Sequence, residues 1–411
     1  MIFERRTLNE CLQSVIDRRG VTPKKLGADW TSEGYRVFSA NNVKSSGLQN
    51  LDEIRYVDEE TYHKWMKNEI QREDILLTSE APAGEVWLWN SNEKIVVGQR
   101  LYALRTKADV NPWYLAFYLQ SKKGQMEILN KCSGSTVFGI SAAMFDLIEV
   151  LLPDKDTQDK IANILKHLVE KINYNVQSIS VLRGIVNTLF SYWFIQFDFP
   201  DENGQPYKSS GGKMVWNDTL KRDIPLNWNV INVGDIVVNH DSKRIPLKNA
   251  EREKMIGNIP YYGATGVMGY VNRAIFDGDF ILLAEDGSVM TDDGKPILQR
   301  ISGKTWVNNH AHVLEPSNGY HCRLLMQILA QIPVVKIKTG SIQAKITQDN
   351  LNKFQVVDIP DSIKQKANEI FDVIDEMLLH LEQEIEELSS LGDFLLPLLM
   401  SGQVTFKETE A

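Results

Sequence analysis

The chain has 411 residues, 43% hydrophobic and 24% charged, the make-up of a globular protein of two or three domains, which excludes fibrous and disordered classes. Its net charge of −9 is uneven: 13 acidic and 3 basic residues lie in 358–411, so the first 357 hold 41 acidic and 42 basic. The acidic total therefore does not exclude a nucleic-acid partner, because basic clusters in the near-neutral part can meet phosphate.

The opening MIFERRTLNE is charged where a secretion signal is apolar, and no run reaches the ~18 apolar residues of a membrane span. A cytoplasmic protein without a membrane partner is expected. Cys11, Cys132 and Cys322 form no C-x-x-C pair, so no zinc ribbon or dithiol site is predicted.

The first globular block, 1–153, opens on the basic stretch DRRGVTPKK at 17–25, followed by RVFSANNV at 36–43 and the apolar run Ile75-Leu76-Leu77. The β-like EKIVVGQRLYALR at 93–105 precedes the helix-like NPWYLAFYLQSKKGQMEIL at 111–129. Gly134-Ser135, Ile140-Ser141 and Pro153 close the block.

Segment 154–196 carries Ile161, Leu165, Leu168, Ile172, Val176, Ile179, Leu182, Ile185 and Leu189 at steps of 3 or 4, which predicts a long helix with a coiled-coil seam. No proline interrupts 157–194, and Pro153 stands just ahead, where an N-terminal breaker belongs. Segment 197–228, with Pro200, Pro206, Pro225, Gly204, Gly211 and Gly212, opposes regular structure and predicts a linker.

Block 229–359 then repeats block 1–153. An offset of 224 places 17–24 on DSKRIPLK at 241–248, and 38–43 on YGATGV at 262–267. An offset of 206 places Ile75-Leu76-Leu77 on Ile281-Leu282-Leu283, Gly134-Ser135 on Gly340-Ser341, and Ile140-Ser141 on Ile346-Thr347, with Pro153 within one residue of Pro360. An offset of 210 aligns Gln99 and Arg100 with Asn309 and His310. A second helix at 360–405 carries Ile370, Ile374, Leu378, Leu381, Ile385, Leu388 and, one step skipped, Leu395.

The expected fold is mixed α/β (α+β): two similar globular domains separated by two long helices that form an antiparallel coiled coil. The 38 residues of 157–194 span roughly 57 Å at 1.5 Å each, which covers about 15–17 base pairs of B-DNA. Helices of that length could hold two similar units apart as a ruler.

Several local motifs point to catalysis and fail on inspection. Asn258-Ile259-Pro260-Tyr261 imitates the tetrapeptide with which amino-methyltransferases grip a flipped base, but Ile259 stands where a second proline is needed. No F-x-G-x-G loop for S-adenosylmethionine accompanies it, since FDGDF at 276–280 lacks the second glycine. Gly303-Lys304-Thr305 resembles the end of a phosphate loop, yet Leu298 stands where the cradle needs glycine. His310 and His312 would share one face of a strand without a readable carboxylate pattern, so no metal is expected.

The linker FPDENGQPYKSSGGKMVWN, the segments IPYYGATGVMGYV and VNNHAHVLEP, and the GS…I(S/T)…P close of each block together resemble the specificity subunit of a type I restriction-modification system. The resemblance covers essentially the whole chain. It implies target-recognition domains at 1–153 and 229–359, conserved spacer helices at 154–196 and 360–405, and a linker at 197–228. Each domain would read half of a bipartite, asymmetric sequence in double-stranded DNA. The helices would recruit two methyltransferase subunits, through which restriction subunits join. It implies no catalysis and no cofactor on this chain, with S-adenosylmethionine on the methyltransferase.

Within that frame, Arg18, Arg19, Lys24 and Lys25, and the corresponding Lys243, Arg244 and Lys248, are candidates for phosphate contact. Gln99 and Arg100 with Asn309 and His310, and Phe38 and Asn41 with Tyr262 and Thr265, are candidates for the base-reading surface. Tyr261, with Tyr262, is expected to shape or touch the DNA surface. The acidic run Glu382, Glu384, Glu386 and Glu387 is too negative to lie on DNA. With Tyr192, Trp193 and the FLLPLLM stretch at 394–400, it suits a partner protein. The rival readings are a self-contained DNA adenine methyltransferase and a coiled-coil scaffold that binds proteins only.

Overall fold

A computed structural model describes residues 2–134, 138–340, 344–404 and 406. It divides into two compact units, one of Met1–Asn175 with Glu384–Ala411 and one of Val176–Gln383.

In the first unit, Leu12–Asp17, Leu101–Thr106, Ile75–Thr78 and Val86–Leu88 form a four-stranded antiparallel sheet in that order. Successive side chains of a strand point to opposite faces, and here both faces are covered. Ile75, Leu77, Tyr102 and Leu104 enter a core with the helix Pro112–Gln120, whereas Leu76, Leu101 and Ala103 enter a second core with Phe38 and Trp65. Beyond the second core, Tyr35–Phe38 lies between antiparallel Arg55–Val57 and parallel Val96–Val97. Asn111 caps Pro112–Gln120 by accepting from the Tyr114 amide, and Pro112 opens it, where a missing N–H costs nothing.

The second unit repeats these pairings residue for residue. Leu104 lies between Val15 and Ile75, and Leu314 lies between Asn239 and Ile281. The parallel pairs Val37–Val96 and Phe38–Val97 become Tyr261–Trp306 and Tyr262–Val307. The Ile140 amide donates to the Ser79 carbonyl at 2.8 Å, as the Ile346 amide does to Glu285 at 2.8 Å. Each match keeps the offset of 224, 210 or 206 found in the sequence. Ser135 and Ser341 of the repeat lie outside the described residues.

NIPYY is therefore the start of a central strand, Ile259–Tyr262, between Val267–Val271 and Lys304–Val307. Gly303, at φ 70, makes the turn into Lys304–Val307, so Gly-Lys-Thr precedes a strand and not the helix a phosphate loop requires. The linker is more regular than its composition predicts. Met214–Asn217 pairs with Arg222–Pro225 as a hairpin, whose turn is set by the Asn217 side chain accepting from the Thr219 and Leu220 amides.

The long helices are Lys155–Phe190, continued by a wider π-turn at Ser191–Ile195, and Asp361–Ser401. Pro397 stands in the second where Ser191 begins the π-turn in the first, so both lose regular hydrogen bonding at one turn. In the first unit, Leu165 and Leu168 share a core with Leu395 and Leu399, while Lys171 and Asn175 reach Glu384. Those segments are thus antiparallel. In the second unit, Arg183 pairs with Glu382 at 2.7 Å.

The seam departs from the sequence expectation at three places. Val176, Ile185 and Ile370 are exposed, and the covered positions are Asn175, Val186 and Phe371. With these, the covered steps from Ile161 to Trp193 recur in the second helix from Ala367 to Leu399, and the skipped step is half-buried Gly392. Asn175 and Gly392 stand at covered steps without an apolar side chain. Among the described residues, no helix is long and apolar enough to cross a membrane.

Candidate nucleic-acid interface

In the first unit, three predicted residues meet at one hollow of about 490 Å³. Lys24, Asn41 and Gln99 line it together with Trp30 and Arg55, and with the carboxylates Asp29 and Glu53. Thr22 caps the short turn Pro23–Leu26, which presents Lys24 and Lys25. Lys25 donates to the Gly20 carbonyl at 2.6 Å, and neither lysine has a carboxylate partner among the described residues. Arg19 is chelated by Asp17 at 2.9 and 2.8 Å and lies over the Tyr102 ring, while Arg18 is half-buried. Arg100 is exposed at a left-handed φ of 63 and pairs with Glu80 at 2.9 Å.

The corresponding positions of the second unit are Lys248, Thr265 and Asn309, all exposed. Lys243 is exposed without a carboxylate partner among the described residues. The Arg100–Glu80 pair becomes His310–Asp286, at 2.6 Å. Tyr262 is half-buried.

Three predicted contacts are corrected by burial. Phe38 is fully enclosed and packs edge-on against Trp89 at 5.4 Å. Tyr261 is 2% exposed, and its hydroxyl accepts from the Leu247 amide. Neither ring can reach DNA without opening a core. Arg244 is engaged internally: its guanidinium donates to Glu285 at 2.6 Å and to the Ala311 carbonyl at 2.7 Å, and its Nε donates to the Asp241 carbonyl.

Arg244 belongs to a buried network around His312, which donates through Nδ1 to Asp241 at 2.5 Å and faces the Ile346 carbonyl with Nε2 at 2.9 Å. His310 and His312 are thus used separately. Asp241, Glu285 and His312 place one ligand atom each within 4.8 Å of one another. The cluster does not fit a metal, because Arg244 and Lys345 already sit on its carboxylates and both imidazole nitrogens are engaged.

Burial pushes the Asp241 and Glu285 carboxyls up, but hydrogen bonds from His312 to Asp241 and from Arg244 and Lys345 to Glu285 outweigh it, so both titrate below the usual range. A depressed folded-state value gives stability that is present above the unfolded value of about 4 and is lost as pH falls through the folded one. Calorimetry should therefore show the second unit's Tm dropping on acidification below about pH 4. Asp241→Asn should lower Tm at pH 7 and weaken that acid dependence; an unchanged acid profile would clear Asp241 of the role.

The sequence reading missed Trp30 and Arg55. The available signal was a lone tryptophan in the polar stretch GADWTSEG at 27–34, which an apolar core does not explain.

Two copies of one mixed α/β frame, each followed in the chain by a long helix, define a duplicated protein. Residues 3–183 and 225–389 match the family model described as type I restriction modification DNA specificity domain, and the chain belongs to that family. It is 27% identical over 354 residues to the type I restriction enzyme MjaIX specificity subunit of Methanocaldococcus jannaschii, covering 81% of this chain and 78% of that protein. A putative type I restriction enzyme specificity subunit of Haemophilus influenzae, S.HindORF215P, is 31% identical over 149 residues, 36% of this chain and 37% of its own. The crystal structure of the type I restriction-modification S subunit from M. genitalium has the same fold, with a TM-score of 0.62 at 18% identity over 97% of this chain and 96% of its own.

Proposed function

We propose that this chain is the non-catalytic DNA-specificity subunit of a cytoplasmic type I restriction-modification complex, reading a bipartite, asymmetric target. The observation that carries the reading is the repeated frame with unlike surfaces. Lysine is kept at Lys24 and Lys248, whereas Asn41 and Gln99 are matched in sequence by Thr265 and Asn309, and Arg55, opposite Val37, is replaced by Gly269, opposite Tyr261. Shared lysines suit the phosphate backbone, which is the same everywhere, and unlike readers suit two different half-sites.

The two long helices are the spacer, and their acidic and apolar outer faces, with Glu386, Val373 and Phe394 exposed, are where two methyltransferase subunits dock. Those subunits hold S-adenosylmethionine and methylate adenine; restriction subunits join through them.

The isolated chain is expected to show no heat of binding with S-adenosylmethionine in calorimetric titration. Co-expressed with its methyltransferase, it should direct methylation to one bipartite motif across a genome. Cofactor binding by the chain alone would favour the self-contained methyltransferase. An unmethylated genome with a salt-independent or absent DNA affinity would favour the protein-only scaffold.

A further inference from the structure

We infer that Arg55, stacked on Trp30, is a sequence-determining residue of the first unit and reads a guanine in the half-site of that unit; this rests on the function proposed above. Arg55 begins the strand Arg55–Val57, and the next residue holds Trp30 in place, because the Thr31 amide donates to the Tyr56 carbonyl at 2.9 Å. The Arg55 guanidinium carbon lies 5.1 Å from the centre of the Trp30 ring. Trp30 is 38% exposed and rests against Trp65, with ring centres 6.4 Å apart, and Trp65 belongs to the core. The row Arg55–Trp30–Trp65 thus runs from surface to core and holds the guanidinium over the indole before any ligand arrives, which reduces the ordering cost of binding.

Arg55 also differs in charge state of its surroundings from its neighbours. Arg19, Arg36, Arg100 and Arg105 each lie on a carboxylate. Arg55 is exposed and has no hydrogen bond or ion pair among the described residues, so its planar fork of donors is available. A guanidinium fork matches O6 and N7 of guanine in the major groove. The hollow beside it decides between base and phosphate. Asp29 and Glu53 line it with Lys24, Asn41 and Gln99; the lysine suits a phosphate at the edge of the site, whereas amides and carboxylates suit the amine-bearing edges of neighbouring bases.

The second unit does not repeat the stack at this strand position; among its described residues Arg252 lies over Tyr261 at 5.1 Å and exposed Arg273 over Trp306 at 5.3 Å, both on other elements. Gly269 occupies the place of Arg55, and the nearby Arg252 guanidinium donates to the Met268 carbonyl at 2.9 Å and to Asn249. At this strand position an arginine is therefore present in the first unit and a glycine in the second.

The test uses the full chain with its methyltransferase and long-read methylation mapping. In Arg55→Ala, one guanine of one half-site should relax by roughly 5- to 150-fold in discrimination, with the other half-site and the spacer unchanged. Arg55→Lys should keep the salt dependence while losing discrimination, and Trp30→Ala, a change in the positioning residue, should relax the same base. A duplex of the mapped site with 7-deazaguanine at that base should weaken wild-type binding and leave Arg55→Ala binding no weaker. An unaltered motif in Arg55→Ala overturns the inference, as does an equal loss on every sequence with a flatter salt slope, which is the mark of a phosphate contact. A wild-type complex that methylates no motif sinks the proposed function itself.

Discussion

Replacing Asp375 by alanine is expected to destabilise the second unit by about 3–5 kcal/mol, a fall in Tm of roughly 6–20 °C for a unit of this size. Asp375 is 5% exposed on the C-terminal helix and accepts from Arg300 Nε at 2.9 Å and from Arg323 Nε at 2.7 Å. Both arginines are nearly enclosed. Removing the carboxylate leaves Arg323 out of water without a counter-charge and Arg300 with Asp279 alone, and that desolvation is the source of the loss.

The first unit shows how the same junction is built without charge. By register, Arg300, Arg323 and Asp375 correspond to Leu88, Trp113 and Val169, which line an apolar hollow beside the helix pair. The triple variant Arg300→Leu, Arg323→Trp, Asp375→Val should therefore recover most of the lost Tm, because a buried ion pair replaced by packed apolar groups is often neutral or stabilising. Scanning calorimetry of the three proteins checks this. An Asp375→Ala melting curve that superimposes on wild type would mean that the ion cluster carries no stability.

The second large effect concerns DNA affinity. Alanine at Lys24, Lys25, Lys243 and Lys248 together should flatten the slope of log K against log salt by about 0.9 per lost phosphate contact, hence about 3.6. Affinity should fall alike on target and unrelated duplexes, and the preference between them should persist. Fluorescence anisotropy from 50 to 200 mM salt measures both quantities. Arg244 is left out, because its partners are Glu285 and the Ala311 carbonyl; Arg244→Ala should lower Tm and spare the slope. An unaltered slope in the lysine variant would place the phosphate contacts elsewhere.

The duplication was legible because register survives divergence: a strand that slips by one residue turns its core side chains to solvent, so offsets of 224, 210 and 206 persist where side chains do not. Burial was less legible. Phe38 corresponds to Tyr262, and Tyr261 to Val37, and a sequence pattern cannot tell which face of a strand turns its aromatic ring into a core. Arg244 read as a free cation because its acceptors, Glu285 and the Ala311 carbonyl, are 41 and 67 residues away. Arg55 went unnoticed for the converse reason: its distinction is to lack an acceptor, and that is a property of the folded surroundings.

Asn175 gives the helix pair a further property. It is 2% exposed in an otherwise apolar seam, and its amide donates to Glu384 at 2.8 Å. Sliding one helix by a heptad would preserve apolar contact almost everywhere and strand this one amide without its acceptor, at the cost of an unsatisfied buried polar group. Errors of alignment would come only in steps of about 10.5 Å, and the first step is already penalised. Within the first unit the helix pair is therefore keyed to one seating.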